Sequence, residues 1–255
     1  MDYLKYKTEE VLTMKEKIYT IPINEAFETE SFCPFCSIFN RLDKEEVTYT
    51  VGPAMMEPDF RIITNQKGFC QRHMTELCSK SKALPLSLVF KTHLDSISEI
   101  MELSTDKSKR RKRIKERQKF TENLEKVTSS CAVCDRINNT FDRYIETFIY
   151  MLRKEEGFFE KVMKSDGFCM DHFSEIAISA QENMSDSEYE NLFMPIVEMQ
   201  KKRIDDYRTY VKNFSDSFDY RNVGKQIDAP KDVLLKTGYL LNGIFEPKQK
   251  KLDDI

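Results

Sequence analysis

Apolar residues recur at every third or fourth position along most of the chain, and this spacing predicts amphipathic helices. The pattern is clearest after residue 134, where six apolar residues would share one helical face: Ile137, Phe141, Tyr144, Ile145, Phe148 and Leu152. A similar stripe extends from Leu86 to Met101. A third extends from Tyr189 to Phe214 over about seven turns. The chain is therefore predicted to be helical throughout.

Capping and breaking residues predict where several of these helices begin and end. A short helix is predicted at about 157–163. Ser185 and Glu188 have the spacing of a capping box at the start of the longest stripe. That helix is too long to be buried in one small unit, so we expect it to bridge two units or contact a second subunit. A last helix is predicted from near Pro230 to Gly243.

Two cysteine motifs each occur twice, at almost the same separation. The first copy contains Cys33-Pro34-Phe35-Cys36 and then Gly68-Phe69-Cys70-Gln71-Arg72-His73. The second contains Cys131-Ala132-Val133-Cys134 and then Gly167-Phe168-Cys169-Met170-Asp171-His172. The second and third cysteines are 34 residues apart in the first copy and 35 in the second. This doubling predicts two copies of one structural unit.

The repeat leads to a predicted domain organisation. An N-terminal segment, 1–23, precedes a first zinc-binding helical repeat, 24–103. A basic helical connector, 104–121, joins it to a second zinc-binding repeat, 122–216, and a C-terminal segment, 217–255, contains a docking helix. The predicted fold class is all-α, with two tandem, pseudo-symmetric helical repeats, each stapled by a Cys3His zinc site, and long bridging helices.

Each copy offers three thiols and one imidazole, which is the donor set of a structural Zn²⁺ site. The simplest assumption is that each copy completes its own site, whereas a cross-repeat arrangement and an iron–sulfur cluster stay open. Four protein ligands leave no coordination position for water or substrate, which favours two structural zinc ions per chain over a catalytic centre. The predicted ligands are Cys33, Cys36, Cys70 and His73 in the first copy, and Cys131, Cys134, Cys169 and His172 in the second.

Composition predicts a helix-rich globular protein in the cytoplasm. Among 255 residues there are only seven glycines and eight prolines, and 33% of the residues are charged. The N-terminal residues lack the apolar core of a signal peptide, and no stretch approaches the ~18 apolar residues of a spanning helix. Paired cysteines in a reducing compartment are metal ligands or redox groups more often than disulfides. Outside the motifs, we interpret Cys78 as a small buried residue and His93 as a satisfied core histidine.

A basic segment lies within a chain whose formal net charge is −3. Residues 107–119, KSKRRKRIKERQK, contain nine Lys or Arg and one Glu. The segment is interpreted as a solvated helical connector, as a contact to the phosphate backbone of RNA or DNA, or as a contact to an anionic membrane surface. Contact to nucleic acid or an acidic partner would involve Lys109, Arg110, Arg111, Lys112, Arg113, Lys115 and Arg117.

The order of motifs resembles a family of uncharacterised bacterial proteins known only as a domain of unknown function. The resemblance begins at Ile21-Pro22-Ile23-Asn24-Glu25-Ala26-Phe27 and continues through the CPFC motif, Met56-Glu57-Pro58-Asp59-Phe60-Arg61 and Thr64-Asn65-Gln66-Lys67-Gly68-Phe69-Cys70. It includes the second CxxC and ends at Phe218-Asp219-Tyr220-Arg221-Asn222 and Ala229-Pro230-Lys231-Asp232. It implies a cysteine-rich intracellular protein with no established activity.

The predicted function is that of a cytoplasmic zinc protein whose structural sites maintain a binding or scaffold module. The long apolar stripes favour a protein partner or a homo-oligomer. One alternative is a redox-responsive zinc-thiol protein, because Cys-Pro-Phe-Cys resembles the dithiol motif of thioredoxin-like enzymes. Others are nucleic-acid binding through 107–119 and an enzyme with a pocket between the repeats. No catalytic or cofactor-binding residue can be named, because the chain has no phosphate-binding loop, nucleophile elbow or HExxH motif.

Overall fold

The structure, a computed structural model, describes residues 19–80, 83–105, 113–222 and 230–243. Every regular element within these ranges is a helix and none is a strand, which confirms the all-α fold class. Single 3-10 turns lie at Pro53–Met56 and Tyr220–Asn222. The helices are α1 (19–28), α2 (Pro34–Thr50), α3 (Pro58–Lys67), α4 (Gln71–Lys80), α5 (Ala83–Thr105), α6 (Arg113–Ser129), α7 (Ala132–Lys154), α8 (Phe158–Met163), α9 (Met170–Asn183), α10 (Asp186–Glu188), α11 (Met194–Asp216) and α12 (Val233–Asn242).

The helix ends that capping residues predict are confirmed. The short helix predicted at 157–163 is α8. Ser185 and Glu188 form the expected capping box: the Ser185 side chain accepts from the Glu188 backbone N–H, and the Glu188 carboxylate accepts from the Ser185 N–H. A π-helical turn, Tyr189–Phe193, connects α10 to α11. The regular hydrogen-bond ladder is interrupted there because Pro195, at the start of α11, has no N–H to donate.

The chain forms two compact units, and one of them consists of two separate chain segments. Unit 1 comprises Met1–Asn40 and Asp142–Ile255, and unit 2 comprises Arg41–Phe141. The boundaries between them fall within α2 and α7. These units do not coincide with the tandem segments 24–103 and 122–216. The first CxxC motif lies in the same unit as the second GFCxxH motif, and the remaining two motifs lie in the other unit.

The core of unit 1 is aromatic. The rings of Phe27, Phe35, Phe148, Phe158 and Phe168 contact one another with centroids 5.3–6.4 Å apart. Most of these pairs are edge-to-face, an arrangement that contributes about 0.5–1.5 kcal/mol per pair beyond the burial of apolar area. Because Phe35 belongs to the CPFC motif and Phe168 to a GFC motif, this core also positions two groups of cysteines.

The core of unit 2 is largely aliphatic and lies among α3, α5 and α6, which pack against one another. Leu86 and Val89 of the α5 stripe are buried, but Leu94 and Met101 are 63% and 43% exposed. The stripe therefore covers the core only over its first turns. Val47, Leu77 and Val133 are among the other fully buried side chains of this unit.

Of the two interpretations made for residues outside the motifs, the structure contradicts one and bears out burial for the other. Cys78 is exposed, so its interpretation as a buried residue is wrong. Its neighbour Leu77 points into the core instead, and successive helical side chains are about 100° apart around the axis. His93 is buried as expected, and burial lowers the pKa of its imidazole. Its Nδ1 atom has no hydrogen-bond partner, so this core histidine is only partly satisfied.

Candidate metal sites

Four donor atoms converge in unit 1. The Sγ atoms of Cys33, Cys36 and Cys169 and one ring nitrogen of His172 all lie within 4.8 Å of one another. His172 Nδ1 is 3.6 Å from Cys33 Sγ, 3.5 Å from Cys36 Sγ and 3.1 Å from Cys169 Sγ. The Sγ atoms of Cys36 and Cys169 are 3.7 Å apart. All four residues are buried.

A second group of the same composition lies in unit 2. His73 Nδ1 is 3.4 Å from Cys70 Sγ and 3.3 Å from the Sγ atoms of both Cys131 and Cys134. The Sγ atoms of Cys70 and Cys134 are 3.8 Å apart. His73 and Cys131 are buried, whereas Cys70 and Cys134 are only half-buried. This site is therefore the more accessible of the two.

These separations fit one tetrahedral ion in each group. With Zn–S bonds of ~2.3 Å and a Zn–N bond of ~2.0 Å, tetrahedral angles place two sulfurs ~3.8 Å apart and a sulfur and nitrogen ~3.5 Å apart. The observed sulfur–sulfur distances of 3.7 and 3.8 Å match this geometry. They are far longer than the ~2.0 Å of a disulfide bond. The sulfur–nitrogen distances of 3.1–3.6 Å reach the expected value or fall slightly short of it. Both histidines also present the same atom, Nδ1, to the sulfurs.

The structure brings together all eight predicted ligands, but in a different combination from the simplest one. Each CxxC pair meets the CxxH pair of the other copy, so the assumption that each copy completes its own site is wrong. In unit 1, Phe35 and Phe168 pack with ring centroids 6.0 Å apart, which places CPFC beside the second GFC turn. In unit 2, the backbone N–H of Ala132 donates to the carbonyl of Gly68 at 3.0 Å. These long-range contacts decide the pairing.

A glycine in the left-handed region precedes each Cys-x-x-His pair. Gly68 has φ 67° and Gly167 has φ 93°. A Cβ on Gly68 would lie 2.7 Å from the Val127 carbonyl oxygen, and one on Gly167 would lie 2.9 Å from Gln200 Oε1. Both positions therefore require glycine for conformation and for space. The cysteine then immediately precedes α4 or α9, and the histidine three residues later lies in the first turn, on the same face as the cysteine.

Two residues of α11 and one residue at the end of α12 support the unit 1 site. Gln200 accepts from the Phe168 N–H at 3.1 Å and donates to the Phe168 carbonyl at 2.9 Å, which holds the GFC turn. Arg203 donates to the Phe32 carbonyl at 2.9 Å, and its guanidinium lies 4.0 Å from the centroid of the Phe32 ring. Gly243 ends α12 so close to the site that a Cβ there would lie 3.2 Å from Cys36 Sγ.

Arg203 also contributes positive charge near the unit 1 sulfurs. Burial lowers the pKa of its guanidinium, and electrostatic interactions with Tyr207, Asp166, Cys33 and Cys169 partly oppose that effect. An arginine remains charged across the physiological range. Three thiolates and one divalent ion carry a net charge of −1, so Arg203 offsets the charge of an occupied site.

In unit 2 a carboxylate supports the histidine. Asp43 Oδ1 lies 2.9 Å from His73 Nε2 and 2.7 Å from Arg72 Nη2, and Asp43 is almost fully buried. Burial alone would raise the pKa of Asp43, but the hydrogen bonds from His73 and Arg72 lower it. A carboxylate bonded to the far nitrogen of a metal-binding histidine orients the ring and raises its basicity.

Each group of thiols stabilises a positive charge at the position of its imidazole. Burial would lower the pKa of His172, but hydrogen bonds with Cys169, Cys33 and Cys36 raise it to about 12. The pKa of His73 rises to about 9, because its bonds to Asp43 and Cys131 outweigh its burial. The hydrogen bond between the side chains of Cys131 and Cys134 lowers the pKa of the Cys131 thiol to about 3 and raises that of Cys134. A divalent cation would satisfy this preference more strongly than a proton.

The predicted basic contact residues are largely untested. Lys109, Arg110, Arg111 and Lys112 lie outside the described residues, and so do the side chains of Arg113 and Lys115. Arg117 is exposed on α6. The interpretations of residues 107–119 therefore stay predictions.

Sequence reasoning missed the supporting residues, although two signals pointed to some of them. Asp43 lies four residues before Val47, so it places a carboxylate on an apolar face of α2, where a polar side chain requires a partner. Gln200 and Arg203 interrupt the apolar stripe of α11, where polar side chains require a specific partner. Gly243 was predicted as a helix end, but nothing local indicates its contact with the sulfurs.

Comparison with known proteins gives a family and no activity. A family model described as a family of unknown function (DUF6062) matches residues 14–248. No curated protein and no solved structure matches the chain. Within the described residues, no helix combines the length and apolar character needed to cross a membrane.

Proposed function

We propose that this chain, which belongs to the family of unknown function DUF6062, binds two structural zinc ions, one in each unit. The observation that carries the proposal is the convergence of three sulfurs and one imidazole nitrogen at tetrahedral spacing in both places. Four protein donors leave no coordination position for water, so the ions stabilise structure and are not assigned a catalytic role.

Zinc is favoured over an iron–sulfur cluster by the compactness of the donor groups. In such a cluster the protein ligands bind different iron atoms and are held farther apart than ligands of a single ion. Here all four donors of each group lie within 4.8 Å of one another. A mixed set of thiolates and one imidazole in a tetrahedral arrangement is typical of zinc.

Each ion would connect parts of its unit that are distant along the chain. Cys36 and Cys169 are 133 residues apart, and Cys70 and Cys134 are 64 residues apart. Loop-closure entropy grows slowly with length, so this difference is worth only about 0.6 kcal/mol. Metal binding itself contributes on the order of 10 kcal/mol per site in small zinc modules. Both ions are therefore expected to be essential for folding.

The zinc-stabilised units would act as a scaffold for binding a second copy of the chain or another protein in the cytoplasm. Leu234, Leu235 and Leu241 of α12 are each more than half exposed, which supports a protein-binding role. A reducing compartment is favoured because zinc–thiolate sites require reduced cysteines.

Elemental analysis of protein purified without added metal tests this proposal. We expect two zinc ions per chain and no stoichiometric iron. Chelation under mild denaturant should remove both ions and abolish the cooperative unfolding transition. A protein that folds and unfolds identically with and without zinc would overturn the structural role.

A further inference from the structure

The two candidate metal sites differ in how deeply their cysteine residues are buried. All three cysteines of the unit 1 site are buried. The rings of Phe35 and Phe39 lie 6.2 and 6.0 Å from the His172 ring, and Gly243 lies against Cys36 and Cys169. In unit 2 two of the three cysteines, Cys70 and Cys134, are half-buried. Their sulfurs are adjacent, 3.8 Å apart.

We propose that Cys70 and Cys134 form an oxidative modification site, at which a peroxide converts the two thiolates to a disulfide and releases the unit 2 metal ion. This inference rests on the proposed function, because it requires a metal ion in both units. The unit 1 site, whose cysteines are buried, keeps its ion under the same conditions. Oxidation of metal-bound thiolates depends on the access of the oxidant to sulfur.

The chemistry balances with hydrogen peroxide as the two-electron oxidant. One thiolate attacks a peroxide oxygen, the O–O bond breaks, and a sulfenic acid forms as hydroxide leaves. The second thiolate attacks the sulfenic sulfur, the S–S bond forms, and a second hydroxide leaves. Two thiolates lose two electrons in total, and the peroxide becomes two water molecules after protonation. The zinc ion does not change oxidation state, and it dissociates because two of its four ligands are lost.

The geometry of the pair suits this reaction. Cys70 immediately precedes α4, and Cys134 lies in the first turn of α7. The two sulfurs must approach by roughly 1.8 Å to reach the ~2.0 Å of a disulfide bond, which is within the range of side-chain rotation. The third cysteine, Cys131, is buried and is not part of the proposed disulfide.

Graded oxidation of full-length protein tests the inference. The protein carries Cys78→Ala, because Cys78 is exposed and would consume oxidant. Hydrogen peroxide is added stepwise to the zinc-loaded protein, a chromogenic chelator reports released zinc, and peptide mass spectrometry maps disulfides. We expect release to level off at one zinc per chain, with a Cys70–Cys134 disulfide and with Cys33, Cys36 and Cys169 reduced. A thiol reductant plus zinc should restore the second ion.

Matched variants separate this inference from the proposed function. Cys36→Ser leaves only the unit 2 ion and should still release it, whereas Cys134→Ser leaves only the unit 1 ion and should retain it. If neither variant folds, disulfide mapping of the parent still decides. Release of both ions together, or a disulfide that includes Cys131 or a unit 1 cysteine, would overturn the inference alone. Protein that contains no zinc before oxidation would overturn the proposed function.

Discussion

The two candidate metal sites share the same four donors but have different surroundings. In unit 1 the donors are buried beside phenylalanine rings, and the cation Arg203 lies near the sulfurs. In unit 2 two of the three cysteines are only half-buried, and the carboxylate of Asp43 supports the histidine. The donors decide which ion fits, whereas the surroundings decide how strongly it is held and what can reach it. The same set of donors can thus form a buried structural metal site in one unit and a more accessible metal site in the other.

Loss of one ligand should have the largest effect and should show which unit each ion stabilises. We expect Cys169→Ser to remove one zinc and unfold unit 1, and Cys131→Ser to remove one zinc and unfold unit 2. Each loss is on the order of 10 kcal/mol, which is comparable to the whole stability of a domain. Hydrogen exchange measured by mass spectrometry locates the change. Cys78→Ala is the control, and equal exchange in both units for either ligand variant would contradict the assignment.

The turns at Gly68–Cys70 and Gly167–Cys169 should differ in how much their stability depends on a single side chain. Gln200→Leu leaves the buried N–H and carbonyl of Phe168 unpaired, which we expect to cost about 2–5 kcal/mol in unit 1. In unit 2 the corresponding support comes partly from the backbone of Ala132, and Ser130 bonds the Lys67 carbonyl. We expect Ser130→Ala to cost only about 0.5–1.5 kcal/mol. Urea unfolding of zinc-loaded protein measures both, and equal costs would refute the difference.

Close packing around the unit 1 sulfurs can be tested at the end of α12. Gly243 has φ 74° and ψ 178°, a region that only glycine readily adopts. A Cβ there would also lie 3.3 Å from Cys169 Sγ. We expect Gly243→Ala to destabilise unit 1 by about 1–3 kcal/mol. Gly238→Ala in the same helix has open space around its Cβ and should stabilise the helix by about 1 kcal/mol.

The role of Asp43 predicts a smaller effect that is confined to unit 2. We expect Asp43→Asn to weaken zinc binding at that site about 10–100-fold, because the His73 ring loses a charged partner. Competition with a chelator of known affinity measures the change. Glu46→Gln is the control, since Glu46 lies on the same helix but bonds Arg136 and not the cluster. Equal weakening by both variants would show that Asp43 has no particular role.

Much of the local structure could be predicted from the sequence, because local interactions determine it. The Ser185–Glu188 capping box and the ends of α8 and α12 depend on residues that are close in the chain. The identity of the eight donors follows from thiol and imidazole chemistry at close spacing. These features need no knowledge of distant contacts.

The pairing of the motifs could not be predicted, because both copies have the same local pattern. Either CxxH is chemically suitable for either CxxC, so only tertiary contacts such as Phe35 with Phe168 distinguish them. The same ambiguity hid the division into units, in which two chain segments separated by the 101 residues of unit 2 form unit 1. Cys78 was misplaced because a small apolar side chain was expected to be buried, whereas its neighbour Leu77 occupies the core-facing position of α4.

Zinc counting in paired-ligand variants tests the central claim most directly. If Cys36 and Cys169 bind the same ion, the double variant Cys36→Ser/Cys169→Ser should lose one zinc, as each single variant does. The comparison variant Cys36→Ser/Cys70→Ser should lose both. We expect one zinc per chain in the first double variant and none in the second. The reverse result would contradict the shared sites and would support pairing within each copy of the motifs.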